Sequence, residues 1–409
     1  MGDATRREFL GQAGAAALAV GSFANVSAQG GEAPLYDLLI AGGKVIDPSQ
    51  KLSAERDVAI AGNTIARVAA NIPHGQARQV IDARGKLVTP GLIDSHVYIY
   101  EGVALASMPA DAAGLALGVT TIIDGGSAGS LTFPGLRTYV MDHAQTSVYA
   151  LLNMATIGLV ISNETYIDPK LINPKTATDI ILKNRDRILG IKVRIEGNHN
   201  ELEHDIDVVK KAREVSDATG VPIVLHWTNE KDLLSLLKRG DLMTHPLTPS
   251  NPESSNLFGV DDPKIPPQIL ELKDRGIRVD FGHGAHLSWE LAERAAAQNW
   301  YPDALSTGLH RAHAAPNGLV IDLETTMTKF MYLGLSVDQV VERVTTNPAS
   351  MYKFPEKIGT LQEGSVADVS VLQLTDGRFD LFDAKRQKRT GRQKVSSVAT
   401  IKGGKVTTA

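Results

Sequence analysis

The sequence predicts an α/β fold: a (β/α)8, TIM-like barrel with a small β-sandwich built from both terminal segments. Three observations predict it. Short alternating strands with glycine turns follow residue 33 and return after residue 355. Between them, from residue 90 to 354, apolar strand-like runs alternate with helical periods, a span of roughly 250 residues and the size of an eightfold barrel. The informative polar residues fall where those runs end, the face on which barrel loops converge.

The elements justify the reading in order. Residues 1–28 read as a Tat-type signal peptide: Arg6-Arg7 precede Phe9-Leu10, a small-residue apolar stretch and Val26-Ser27-Ala28, which fits a cleavage triplet. This predicts a periplasmic or secreted protein. Residues 33–89 and 355–409 form the sandwich, with Gly-Gly, Gly-Asn and Arg-Gly turns between strands such as YDLLIAGGKVID and VSSVATIKGGKVT. The barrel, 90–354, supplies the runs VTTIID (119–124), VYALLN (148–153), GIKVRI (190–195), VPIVLH (221–226), DLMTH (241–245), IRVDFGHG (277–284) and DALSTG (303–308).

Composition narrows the function classes. The chain has 409 residues, 43% hydrophobic and 22% charged, with a net charge of -4. That balance gives no attraction to nucleic acid or an anionic membrane. No apolar run beyond the N-terminus is long enough to span a bilayer. Without cysteine, no thiolate is available as nucleophile or ligand. A small-molecule substrate is the expected partner, and a homo-oligomer is left open.

His96 ends the run Gly91-Leu92-Ile93-Asp94-Ser95-His96, and Tyr98 follows on the same strand face. His-x-His aims two imidazoles at one ion; here the second is a phenol. Lys192, His226, His245 and His283 each end a later run. Lys192 has apolar neighbours on its strand, so its side chain points into the barrel. There an ammonium is costly unless paired, with Asp124 or Glu196 for example, or neutralised.

Together, VTPGLIDSHV, GVTTIIDGG, GIKVRI, DLMTHPL, DFGHG, TTNPASMY and IGTLQEGSVADVSVL resemble the amidohydrolase superfamily. The chain is most similar to its dihydroorotase-like amidohydrolase/deacetylase metallohydrolases, whose members hydrolyse N-acyl amino acids, acyl esters and ochratoxin-type amides. The resemblance implies that His96, carbamylated Lys192, His226 and His245 are metal ligands and that His283 lies on the substrate side. It also exposes two departures. The second strand-one histidine falls on Tyr98, and the last ligand, an aspartate, falls on Gly308. Both strike the same of two metal positions. One firmly held Zn²⁺ on Lys192, His226 and His245 is expected, with the second position stripped to His96 and the carbamate.

The implied function is hydrolysis of an amide or ester bond by a metal-activated water, with activity impaired at the altered site. The alternative is a catalytically silent barrel kept for binding. A mononuclear deaminase fits less well, because such enzymes keep the residues lost here. The missing aspartate also carries protons, work worth typically ~10²–10⁴-fold. His283, His286, His310, Asp303 and Tyr98 are the stand-ins, with His283, Tyr98 and His310 the catalytic candidates. His283, Trp289 and Arg311 are the candidate substrate-binding residues, and Arg194 shares the Lys192 strand face.

Overall fold

The computed structural model describes residues 24–25, 34–161, 168–195, 202–249, 256–258, 263–312, 314, 320 and 322–407. Most of residues 1–28, read from sequence as a signal peptide, and Glu196 lie outside the described residues. The strands fall into two sheets.

The first sheet joins both ends of the chain. It contains β1 (Ala24–Asn25), β2 (Tyr36–Asp47), β3 (Leu52–Ala61), β4 (Thr64–Ala69), β5 (Ala77–Asp82) and β6 (Leu87–Pro90). The C-terminal segment adds β14 (Val369–Phe382), β15 (Lys388–Lys402) and β16 (Lys405–Thr407). β6 pairs antiparallel with β14, which stitches the two ends together. The sheet is not wholly antiparallel, because β2 runs parallel to both β5 and β6. Leu38, Ile40, Val58, Ile60, Val369, Val371 and Ile401 meet in its buried core, the expected outcome of alternating apolar residues on one face.

The second sheet is the barrel: β7 (Leu92–Val97), β8 (Val119–Asp124), β9 (Ser147–Asn153), β10 (Ile188–Val193), β11 (Ile223–His226), β12 (Leu242–Thr244) and β13 (Arg278–Asp280). Its seven strands lie side by side in chain order, and all neighbours are parallel. The run DALSTG, expected as the eighth strand, is reduced to isolated parallel bridges. Ala304 bridges to Asp280, and Leu309 bridges to Val97. Its side chains take over part of the pairing: Ser306 Oγ donates to Asp280 Oδ2 at 2.8 Å, and Thr307 Oγ1 to Asp94 Oδ2 at 2.6 Å. The barrel therefore closes between β13 and β7 through hydroxyl-carboxylate bonds as well as backbone.

Inside the barrel the side chains are layered. Val224 and Leu242 join Ile123, Tyr149 and Leu189 in the lower layer, with Met351 and Tyr352 from the C-terminal helices beneath. Two residues further along the same strands come His226 and Thr244. Period-2 alternation thus changes an apolar plug into a polar floor at the C-terminal mouth. Among the described residues, no helix is long and apolar enough to cross a membrane.

The end of the β14–β15 hairpin reaches across the barrel helices. Trp289 opens the helix Trp289–Ala297 and is fully buried. Its indole N–H donates to Gln387 O at 2.9 Å, and its backbone N–H to Asp383 Oδ2 at 3.1 Å. Trp289 is thus a clasp holding the hairpin. This corrects the expectation that it contacts substrate.

Candidate functional site

A cavity of about 260 Å³ opens at the C-terminal mouth, lined among others by Tyr98, Arg194, His226, His245, His286 and His310. Ala104, Leu105, Ala106 and Leu159 supply an apolar wall. The size and the mixture of apolar wall with a few convergent polar groups suit a small ligand.

The histidines cluster as the strand ends dictate. Ring centroids of His226 and His245 lie 4.5 Å apart, and those of His96 and His245 4.9 Å apart. Burial depresses the pKa values of His96, His226 and His245; the Lys192 charge is the next cause for His96 and His226, and for His245 it follows His286 and His226. The four sequence-derived ligand candidates therefore form one neighbourhood. His286, a proton-carrier and recognition-loop candidate from sequence but not a ligand candidate, joins it: its ring centroid is 3.9 Å from that of His245.

His245 is held in a defined state. Its Nδ1 lies 2.7 Å from Gly282 O, so Nδ1 carries the proton and donates, leaving the lone pair on Nε2. That Nε2 is buried without a hydrogen-bond partner. A metal-ligating histidine is oriented in just this manner, by a carbonyl accepting from its other nitrogen. His245 also adopts a left-handed backbone, φ 69°, rare for a non-glycine residue. Gly282 is required beside it, since a Cβ there would meet His245 Nδ1 at 2.6 Å.

Lys192 is buried, and burial lowers its pKa to about 7, the Asp280 charge acting in the opposite direction. Its electrostatic partner is thus Asp280 rather than Asp124, whose carboxylate accepts from the backbone N–H groups of Ile99, Gly126 and Ser127. Asp280 accepts from Ser95 Oγ at 2.6 Å and lies 3.4 Å from His96 Nδ1. No sequence motif singled it out; its place at the end of the run IRVD, level with the other strand-end residues, was the available signal. Asp94, behind the mouth, is pushed up to about 7 by burial.

The position that the sequence reads as damaged is closed from two sides. Tyr98 Oη lies 3.0 Å from His96 Nε2. Because His96 Nδ1 faces the Asp280 carboxylate, Nε2 bears the lone pair and accepts from the phenol. On the opposite side Gly308 sits at φ 57°, and a Cβ there would meet Gly284 N at 2.7 Å. Backbone thus crowds the start of any side chain at the position where the carboxylate is expected.

Three sequence expectations are corrected. His283 does not line the cavity. It is buried, accepts from Lys329 Nζ at 2.8 Å through Nε2 and donates to Gly284 O at 2.9 Å through Nδ1. The chain turns between His283 and His286, so His286 is the residue that reaches the mouth. Asp303 precedes the irregular eighth segment, at the end opposite the cavity, where it faces Arg278 at 3.1 Å. Arg311 does not line the cavity either. Its side chain is 70% exposed and pairs with Glu101, an arrangement of little energetic value at a surface. Arg194 is the cationic side chain in the cavity wall. His310 does reach the wall, its ring 6.0 Å from that of Tyr98.

Comparison with known proteins adds identity to this geometry. The profile of the amidohydrolase family matches residues 87–407. A deacetylase of Agrobacterium fabrum is 33% identical over 344 residues, covering 80% of this chain and 81% of its own. A deacetylase of Enterococcus faecalis is 28% identical over 91% of this chain and 99% of its own. Among solved structures, an adenine deaminase superposes with a TM-score of 0.81 at 27% identity, covering 91% of this chain and 100% of that one. A dihydroorotase gives 0.77 at 28% identity, covering 91% and 99%.

Proposed function

Because the chain belongs to the amidohydrolase family, we propose that it is a metal-dependent hydrolase of amide or ester bonds, acting on small N-acyl amino acids or acyl esters through an altered, reduced metal site. One observation carries the reading. The buried Nε2 of His245 has no hydrogen-bond partner while its Nδ1–H is committed to Gly282 O. Leaving such an atom bare costs about 1–3 kcal/mol, a cost relieved when a cation takes the lone pair.

His226 and His245 would hold the cation, Zn²⁺ by analogy with the superfamily. When bound, it supplies Lewis-acid activation of water and of the scissile carbonyl. Lys192, with its pKa near 7, is an uncharged amine in a good fraction of molecules at neutral pH. It is therefore able to combine with CO₂, and its carbamate would bring an oxygen to the same cation.

The chain's own residues do the rest. Arg194 presents a guanidinium to a substrate carboxylate, and Leu105 and Leu159 receive the acyl chain. His310 replaces the aspartate missing at Gly308 as the group that takes a proton from the attacking water and returns it to the leaving nitrogen. Tyr98 borders the scissile carbonyl. The relatives named deacetylases support the acyl-transfer chemistry. The reading includes export, with residues 1–28 as a Tat-type signal.

The bond between Tyr98 and His96 favours one competing reading, a catalytically silent amidohydrolase-fold binding protein. A panel of N-acyl amino acids, the matching N-acyl amines and simple esters separates the two. Hydrolysis of carboxylate-bearing members, with KM raised ~10–100-fold by Arg194→Ala, supports the proposal, since a charge-assisted contact is worth ~1.5–3 kcal/mol. No turnover of any member by the metal-loaded protein supports the silent barrel.

A further inference from the structure

His286 is not among the metal ligands that the resemblance assigns, yet the structure builds it into the cluster. We propose that His226, His245 and His286 form a three-histidine site that holds a divalent cation without any modification of Lys192. The inference rests on the reading that this cavity holds a metal, and deepens it by naming the ligands.

One ring nitrogen from each of the three lies within 4.8 Å of the other two. Three ligands on a tetrahedral zinc, at ~2.0–2.1 Å from the metal, stand roughly 3.3 Å apart. Small side-chain rotations close that gap, and two of the three residues sit on or beside barrel strand ends.

Hydrogen bonds behind the ligands orient two of the rings. Thr248 Oγ1 donates its single proton to His245 O at 2.8 Å. Its lone pair therefore faces His286 Nδ1, 3.0 Å away, which must be the donor. That fixes the His286 tautomer with the lone pair on Nε2. Gly282 O does the same for His245. Two of the three imidazoles are thus presented through Nε2, each oriented by a backbone or hydroxyl acceptor, the arrangement that holds metal-ligating histidines. A single threonine couples them, since it binds the backbone of one and the ring of the other.

His245 Nε2 is buried and unpartnered, and His245 lines the same cavity wall as His226 and His286. A neutral three-histidine set completed by a water is a known pattern for catalytic zinc, and it needs no anionic ligand from Lys192.

The experiment measures Zn²⁺ per chain after loading with zinc alone and dialysis, together with the zinc-induced shift in unfolding temperature, for the full chain and four variants. Lys192→Met should keep about one zinc and most of the shift. His286→Ala and the more conservative His286→Gln should lose both, and Thr248→Val should weaken zinc binding ~10–100-fold. Loss of zinc from Lys192→Met with full retention in both His286 variants overturns the inference and leaves the metal-hydrolase reading standing, with the carbamate as ligand. No zinc on the unaltered chain overturns both.

Discussion

Tyr98 Oη donates to His96 Nε2 across 3.0 Å, so the phenol that stands where a second histidine is expected also occupies the lone pair of the first. On the proposed reading, this one residue accounts for the loss of two ligands from the second metal position. Tyr98→Phe tests the bond. It leaves a buried imidazole nitrogen unsatisfied, which should lower the unfolding free energy by ~1–3 kcal/mol without raising metal content. Unchanged stability in chemical denaturation would show that the phenol does not satisfy His96.

Gly308 makes the closed position hard to reopen. An aspartate there would need φ 57° and a Cβ 2.7 Å from Gly284 N. Gly308→Asp, alone or with Tyr98→His, should therefore cost at least ~2 kcal/mol of stability and add no second metal. Two metals per chain at unaltered stability would mean that the two positions are simple side-chain losses in an otherwise intact site.

Much of this was legible in the sequence, and the failures have physical causes. The barrel, the joined terminal sheet and the clustering of Lys192, His226 and His245 follow from period-2 runs ending in polar residues, a pattern that local sequence carries. His283 and Trp289 were misread because periodicity does not report the direction of a side chain beyond a strand end. His283 turns to Lys329, and Trp289 to a hairpin about a hundred residues away in sequence. The eighth strand was over-read because Ser306 and Thr307 bond to carboxylates of other strands, a contact invisible to local patterning. Asp280 carries no motif, and only its strand-end place, shared with His226, marks it in the sequence.

The buried pair behind the site predicts a pH dependence. Burial lowers the Lys329 pKa from 10.5 to about 7. Between those values the unfolded chain holds a proton that the folded chain has released, so stability rises with pH in that window and the penalty is complete below it. The slope from one such group is up to roughly 1.4 kcal/mol per pH unit. Lys329→Met should flatten the rise in unfolding free energy between pH 7 and 9. An identical slope in the variant would place the folded pKa outside this window.

The central claim is that the cavity at the barrel mouth is a working metal-dependent hydrolase. The most direct measurement is the rate of N-acyl amino acid hydrolysis by the same preparation as purified, after chelation, and after return of one equivalent of Zn²⁺ per chain. The account predicts hydrolysis that falls to background on chelation and recovers on zinc addition. Zinc bound at one per chain with no hydrolysis above background, across the acyl panel, would contradict it.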